Sequence, residues 1–133
     1  MAGRGVLAKG LYDFGVNIIA TDNFSWGWSS HYLWFDVKES DCITAIKEYG
    51  ENIDFLICCW PYMDDNMYNS LIEMRSQNPM SKLIYFGEGR GGCTANDKFF
   101  NVANFIYDNE VFNAASCFFQ SWWKIHDGLF LVT

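Results

Sequence analysis

The sequence predicts an α/β domain built on a mostly parallel sheet with an antiparallel hairpin at its carboxyl end. Three observations predict it. Short apolar, β-branched runs (Val16 to Ala20, Ile53 to Trp60, Leu83 to Phe86) alternate with stretches whose apolar residues recur at helical spacing. The runs are largely apolar, as suits strands covered on both faces. The last two, Cys117 to Trp123 and Leu129 to Val132, are joined by His126, Asp127 and Gly128, a turn composition.

The elements follow in order. Val6, Leu7, Leu11 and Phe14 repeat at helical spacing and Gly15 supplies a stop, so Gly5 to Phe14 is a helix. Val16 to Ala20 is a buried strand ending at Thr21 and Asp22. Asn23 to Asp36, with Trp26, Trp28, Tyr32 and Trp34, fits neither period and reads as an aromatic loop or short helix. Ser40 or Asp41 caps a helix carrying Ile43, Ala45, Ile46 and Tyr49, closed by Gly50.

Ile53 to Trp60 is a strand bounded by Pro61. Asp64 and Asp65 open a helix with Met67, Tyr68, Leu71, Ile72 and Arg75 that stops before Pro79. Leu83 to Phe86 leads into Gly87, Glu88, Gly89, Arg90, Gly91 and Gly92. Thr94 with Asp97 then matches a capping box ahead of a helix through Phe99, Phe100, Ala103 and Ile106. The closing hairpin makes the sheet mixed.

At 133 residues the chain suits one domain spanning 1–133. Half its residues are hydrophobic, which is enough to build a core. The net charge of -7 repels phosphates and argues against tight binding of duplex nucleic acid by this chain alone. No apolar stretch approaches the roughly 18 to 20 residues that cross a bilayer, so no membrane span is expected. Cys42, Cys58, Cys59, Cys93 and Cys117 are odd in number, contain no C-x-x-C pair and follow no secretory signal. They suit a reducing cytoplasm.

Gly3, Gly5 and Ala8 match G-x-G-x-x-A at the start of a helix, with Asp22 at the end of the next strand. Glycines admit close backbone approach, a helix N-terminus favours an anionic group, and a carboxylate accepts hydrogen bonds from ribose hydroxyls. The pattern points to a nucleotide-type cofactor held by Gly3, Gly5 and Asp22. A plain helix start beside a solvated Asp is the bland alternative.

The string G-R-G-V-L-A-K-G-L-Y-D-F-G-V-N-I-I-A-T-D resembles, from partway through it, the first cofactor motif of the S-adenosylmethionine-dependent methyltransferases. C-C-W-P-Y at Cys58 to Tyr62 resembles the strand-four motif that amino-methyltransferases write as D/N/S-P-P-Y/F/W. Cys59 to Asp65, with G-E-G-R-G-G-C-T at Gly87 to Thr94, is also similar to a little-characterised group of methyltransferase-like proteins. The resemblance implies a Rossmann-like methyltransferase fold, S-adenosylmethionine as cofactor, and a catalytic segment at Cys59, Trp60, Pro61 and Tyr62. Tyr62 would be a platform for a planar substrate, with the Pro61 carbonyl near the reacting atom.

Two departures stand beside it. The family's first strand precedes the glycine motif and occupies the centre of the sheet, whereas Gly3 follows closely on Met1. The expectation is a sheet lacking that strand, in which Val16 to Ala20 and Phe55 to Cys59 pair directly or accept a strand from a partner chain; self-association into a homo-oligomer is the related expectation. Cys59 and Trp60 also replace the polar residue and first proline of the amino-methylating motif, and a thiol is a poor acceptor for an amine.

Glu88 reads as a base, a holder of the glycine-rich loop or a solvated carboxylate, and Arg90 as an anion binder or surface residue. His31 and His126 are isolated and without metal spacing, so no metal site is expected. Three functions compete: a methyltransferase acting on a small-molecule or macromolecular substrate, a non-catalytic binding protein with a degenerate methyltransferase fold, and an NAD-type oxidoreductase. The last leaves Pro61 and Tyr62 unexplained.

Overall fold

The computed structural model describes residues 2–27, 32–121 and 123–133. Trp28, His31 and Trp122 lie outside the described residues, and with them the readings placed on the first two. The chain is mixed α/β and forms two compact units, Met1–Ala45 and Ile46–Thr133.

The first unit holds α1 (Val6–Asp13), β1 (Ala20–Asp22) and β2 (Val37–Glu39), with α2 (Cys42–Tyr49) leading out of it. Gly5 takes φ 78°, accepts the Lys9 N–H and starts α1, and Gly15 at φ 83° follows its end. β1 and β2 pair in parallel from Ala20↔Val37 to Asp22↔Glu39. Val16 to Ile19, expected as the body of this strand, lies outside the ladder, because β2 offers three residues and the first of them meets Ala20. The small core is Ala8, Ala20 and Val37, packed by Ile18, Phe24, Leu33 and Phe35. Of the two expected caps for α2, Asp41 serves: its Oδ1 accepts the Ile43 and Thr44 N–H groups, each at 3.0 Å.

The second unit carries β3 (Phe55–Cys59), α3 (Asn66–Gln77), β4 (Lys82–Glu88), α4 (Asp97–Val102), β5 (Phe105–Ile106), α5 (Glu110–Ser116) and β6 (Asp127–Val132). Its sheet runs β3-β4-β6-β5. β3 and β4 are parallel, and β6 is antiparallel to both β4 and β5. The expected mixed sheet with an antiparallel last strand is therefore present. Leu71, Met74, Leu83, Tyr85, Phe99 and Val132 form its fully buried centre. β4 alternates buried and half-buried positions along its seven residues.

Four expectations are corrected. Cys117 to Trp123 is not a hairpin strand: α5 ends at Ser116, and Phe118 and Trp123 stay 86% and 84% exposed. β6 instead pairs with β4 from Leu83↔Val132 to Glu88↔Asp127, and with β5 on its other side. The helix expected through Ile106 stops at Val102, and Phe105–Ile106 joins the sheet. Its cap is Asn96, which accepts the Phe99 N–H, because the Thr94 hydroxyl is buried and bonded to Tyr85. Val16 to Ala20 and Phe55 to Cys59 do not pair directly either: β1 pairs with β2, and β3 pairs with β4. Among the described residues no strand precedes α1, and no helix is long and apolar enough to cross a membrane.

Candidate functional site

Two clusters contain the residues singled out by the sequence, one in each unit. In the first unit the turn before α1 reaches the carboxyl end of β1. The Gly3 N–H donates to Asp22 Oδ2 at 2.8 Å, the Phe24 N–H donates to Asp22 Oδ1 at 2.9 Å, and the Ala2 N–H donates to the Thr21 carbonyl. Asp22 is buried. Gly3 and Asp22 are thus brought together, and the carboxylate's first task is to clasp this turn. Gly3, at φ 55°, has open space where a side chain would stand. Gly5 does not: a methyl there would come within 2.8 Å of Phe35 Cβ and Val37 Cγ2, so the chain's own side chains fill the space that its missing Cβ leaves.

In the second unit the carboxyl ends of β3 and β4 gather the rest. Cys59 ends β3, and burial pushes its thiol up to about 11, so it stays protonated at neutral pH. Trp60 follows at φ 51°, a left-handed conformation rarely taken by a bulky residue. Its N–H donates to the Phe86 carbonyl at 2.8 Å, and its indole N–H donates to Asp127 Oδ2 at 3.3 Å. The resemblance noted in the sequence would align Trp60 with the first proline of the amino-methylating motif. A proline ring holds φ near −65° (about) and offers no N–H, so this loop takes a path that the proline-containing motif could not. Pro61 is fully buried and its carbonyl accepts the Ala95 N–H, while Tyr62 is half exposed.

The segment Gly87 to Thr94 is organised by Thr94 and Glu88. Thr94 Oγ1 lies 2.7 Å from the Tyr85 hydroxyl and accepts the Glu88 N–H at 2.7 Å. The Tyr85 hydroxyl also meets the Glu88 carbonyl, and burial holds its proton up to about 12. Gly87 is required here, since a methyl would stand 2.7 Å from both the Tyr85 and Thr94 oxygens. The Glu88 carboxylate accepts the Cys93 N–H on Oε2 and the His126 N–H on Oε1. Of the readings for Glu88, holding the glycine-rich loop is the one this geometry displays. Arg90 is engaged by Asp97 at 3.2 Å and Asn101 at 2.8 Å and lies over the Phe100 ring.

Asp127 and Thr94 were not apparent as site residues. Asp127 comes to Trp60 and opposite Glu88 only through the antiparallel register of β6 with β4, a pairing that no local pattern announces. Thr94 resembled an ordinary helix cap. The five cysteines form no disulfide, and among the described residues no three His, Cys, Asp or Glu side chains are grouped to hold a metal ion. An open cleft of about 260 Å³ lies between Asp54, Phe55, Asn78, Met80, Ser81 and Lys82, at the amino ends of β3 and β4 and thus away from Trp60 and Glu88.

Three carboxyls are held below their ordinary values: Glu88 by the Cys93 and His126 N–H groups, Asp65 by Lys98 and Asn96, and Asp41 by the Thr44 hydroxyl and N–H. A depressed carboxyl contributes stability that is present above its unfolded value and lost as pH falls through its folded value. The melting midpoint is therefore expected to hold level from neutrality down to about pH 5 and to fall below about pH 4. Circular dichroism melts across that range check it, and a midpoint unchanged at pH 3 (roughly) would contradict it.

No protein-family model, no curated protein and no solved structure matches the chain.

Proposed function

We propose that the chain is a methyltransferase-type domain of Rossmann-like ancestry that binds S-adenosylmethionine. The observation that carries this reading is the meeting of Gly3 and Asp22 where α1 begins and β1 ends. Each Asp22 oxygen accepts one backbone N–H, and a carboxylate oxygen has room for two hydrogen bonds. Gly3 has open space where a side chain would stand. These residues fit an adenosyl group, with Asp22 meeting ribose hydroxyls and the α1 N-terminus favouring the anionic end. The cofactor when bound supplies the electrophilic methyl group; the chain's part is to bind and orient, which requires little acid or base machinery.

The strand pattern supports the same reading. β1–β2 and β3–β4 are parallel, β6 is antiparallel, and β3 ends its sheet as five apolar residues without charge or proline. A strand supplied by another polypeptide against β3 belongs to the proposal, as does residence in a reducing cytoplasm, which five thiols suit. A second reading, a non-catalytic binding protein of the same ancestry, is favoured by Trp60, whose φ and N–H bond depart from the amino-methylating motif.

Calorimetric titration with S-adenosylmethionine, S-adenosylhomocysteine and NAD tests both. The adenosyl-sulfur ligands are expected to bind in preference to NAD, and Asp22→Ala to weaken them by about 1 to 3 kcal/mol. A melt run beside it separates lost binding from a loosened Gly3 turn. Absence of binding to the wild-type chain would remove the enzyme reading for this chain alone. Binding with no methyl transfer to any acceptor offered would leave the second reading in place.

A further inference from the structure

We propose that Gly89–Cys93 is a hinged lid at the carboxyl end of β4, held shut by two side-chain latches; this stands independently of the methyl-transfer reading. The segment is mostly exposed, and its Gly92 N–H returns to the Gly89 carbonyl at 3.0 Å, closing a four-residue turn with Gly91 at φ 85°. Nothing stands where a side chain at Gly89 or Gly91 would be, and glycine's wide backbone freedom suits both to act as hinges. One latch is Glu88, whose carboxylate takes the Cys93 N–H from the far end of the turn and the His126 N–H from the lead-in to β6. Gly92 makes room for it, since a methyl there would collide with Glu88 Cβ and stand 2.6 Å from Oε2. The other latch is Arg90, at the tip, clamped to Asp97 and Asn101 on α4.

Both latches are polar and lie at the surface, whereas the anchor beneath them, Thr94 on Tyr85, is buried. Exposed hydrogen bonds over a buried anchor are the arrangement from which local opening without global unfolding is drawn. The lid would swing on its glycines while the sheet stays folded.

Trypsin reads the lid directly, because Arg90 is at its tip and Arg75, inside α3, serves as an internal control. Cleavage after Arg90 is expected to be slow in the wild-type chain and roughly tenfold faster in Glu88→Ala or in Asp97→Ala/Asn101→Ala, each of which removes one latch. Cleavage after Arg75 is expected to stay unchanged. Gly92→Ala, which displaces Glu88 by collision, supplies an independent release of the first latch. An unchanged rate at Arg90 in all three variants, or an equal rise at Arg75, would overturn the proposal.

Discussion

Phe99→Ala is expected to lower the stability of the 46–133 unit by about 3 to 5 kcal/mol, the range for emptying a large aromatic site in a core. Phe99 is fully buried, with ring centroids 5.2 Å from Tyr85, 5.2 Å from Phe100 and 6.3 Å from Phe105. It joins α4 to β4 and β5, so the cavity would open where three elements meet. Phe99→Leu, which keeps much of the volume, is expected to cost far less. Phe118→Ala, at a position 86% exposed, is expected to stay within about 0.5 kcal/mol of wild type. Urea unfolding measures all three, and a loss under about 1 kcal/mol for Phe99→Ala would place the core elsewhere.

Gly5→Ala is expected to be the most damaging small change in the first unit, at about 2 to 4 kcal/mol. Two costs combine: a methyl at 2.8 Å from Phe35 Cβ and Val37 Cγ2, and a side chain at φ 78°. Gly3→Ala separates them, because its φ of 55° imposes the backbone cost while its surroundings are open. The Gly3 change is expected to cost about 1 kcal/mol. Equal losses at the two positions would show that the collision at Gly5 is relieved by small shifts of Phe35. Melting of the folded variants decides between these outcomes.

What could be read in the sequence was whatever a single segment encodes by itself. α1, α2, β3, α3 and β4 lie where apolar period and caps put them, within a few residues. β2 was not readable, because Val37-Lys38-Glu39 is short and two-thirds charged and is a strand only through its pairing with β1. Cys117 to Trp123 misled for the opposite reason. Its apolar content invites burial, yet β6 finds its partners at β4 and β5, and the described residues of that segment form no strand, although Phe119 packs against Phe86. The candidate site divides along the same line. Gly3, Asp22 and the glycines after β4 were visible as composition, whereas Glu88 facing Asp127, and Trp60 reaching Asp127, depend on strand register.

The strand order of the second unit also sets a timetable. β5 is synthesised before β6 and has β6 as its ladder partner, while β6 lies between β4 and β5. During synthesis β5 therefore waits, two residues of Phe and Ile with nothing to pair with, until Asp127–Val132 emerges. Long-range pairing of this kind is slow to nucleate and leaves apolar surface uncovered meanwhile. The sheet of this unit can be completed only when its last-made strand enters between two strands already synthesised.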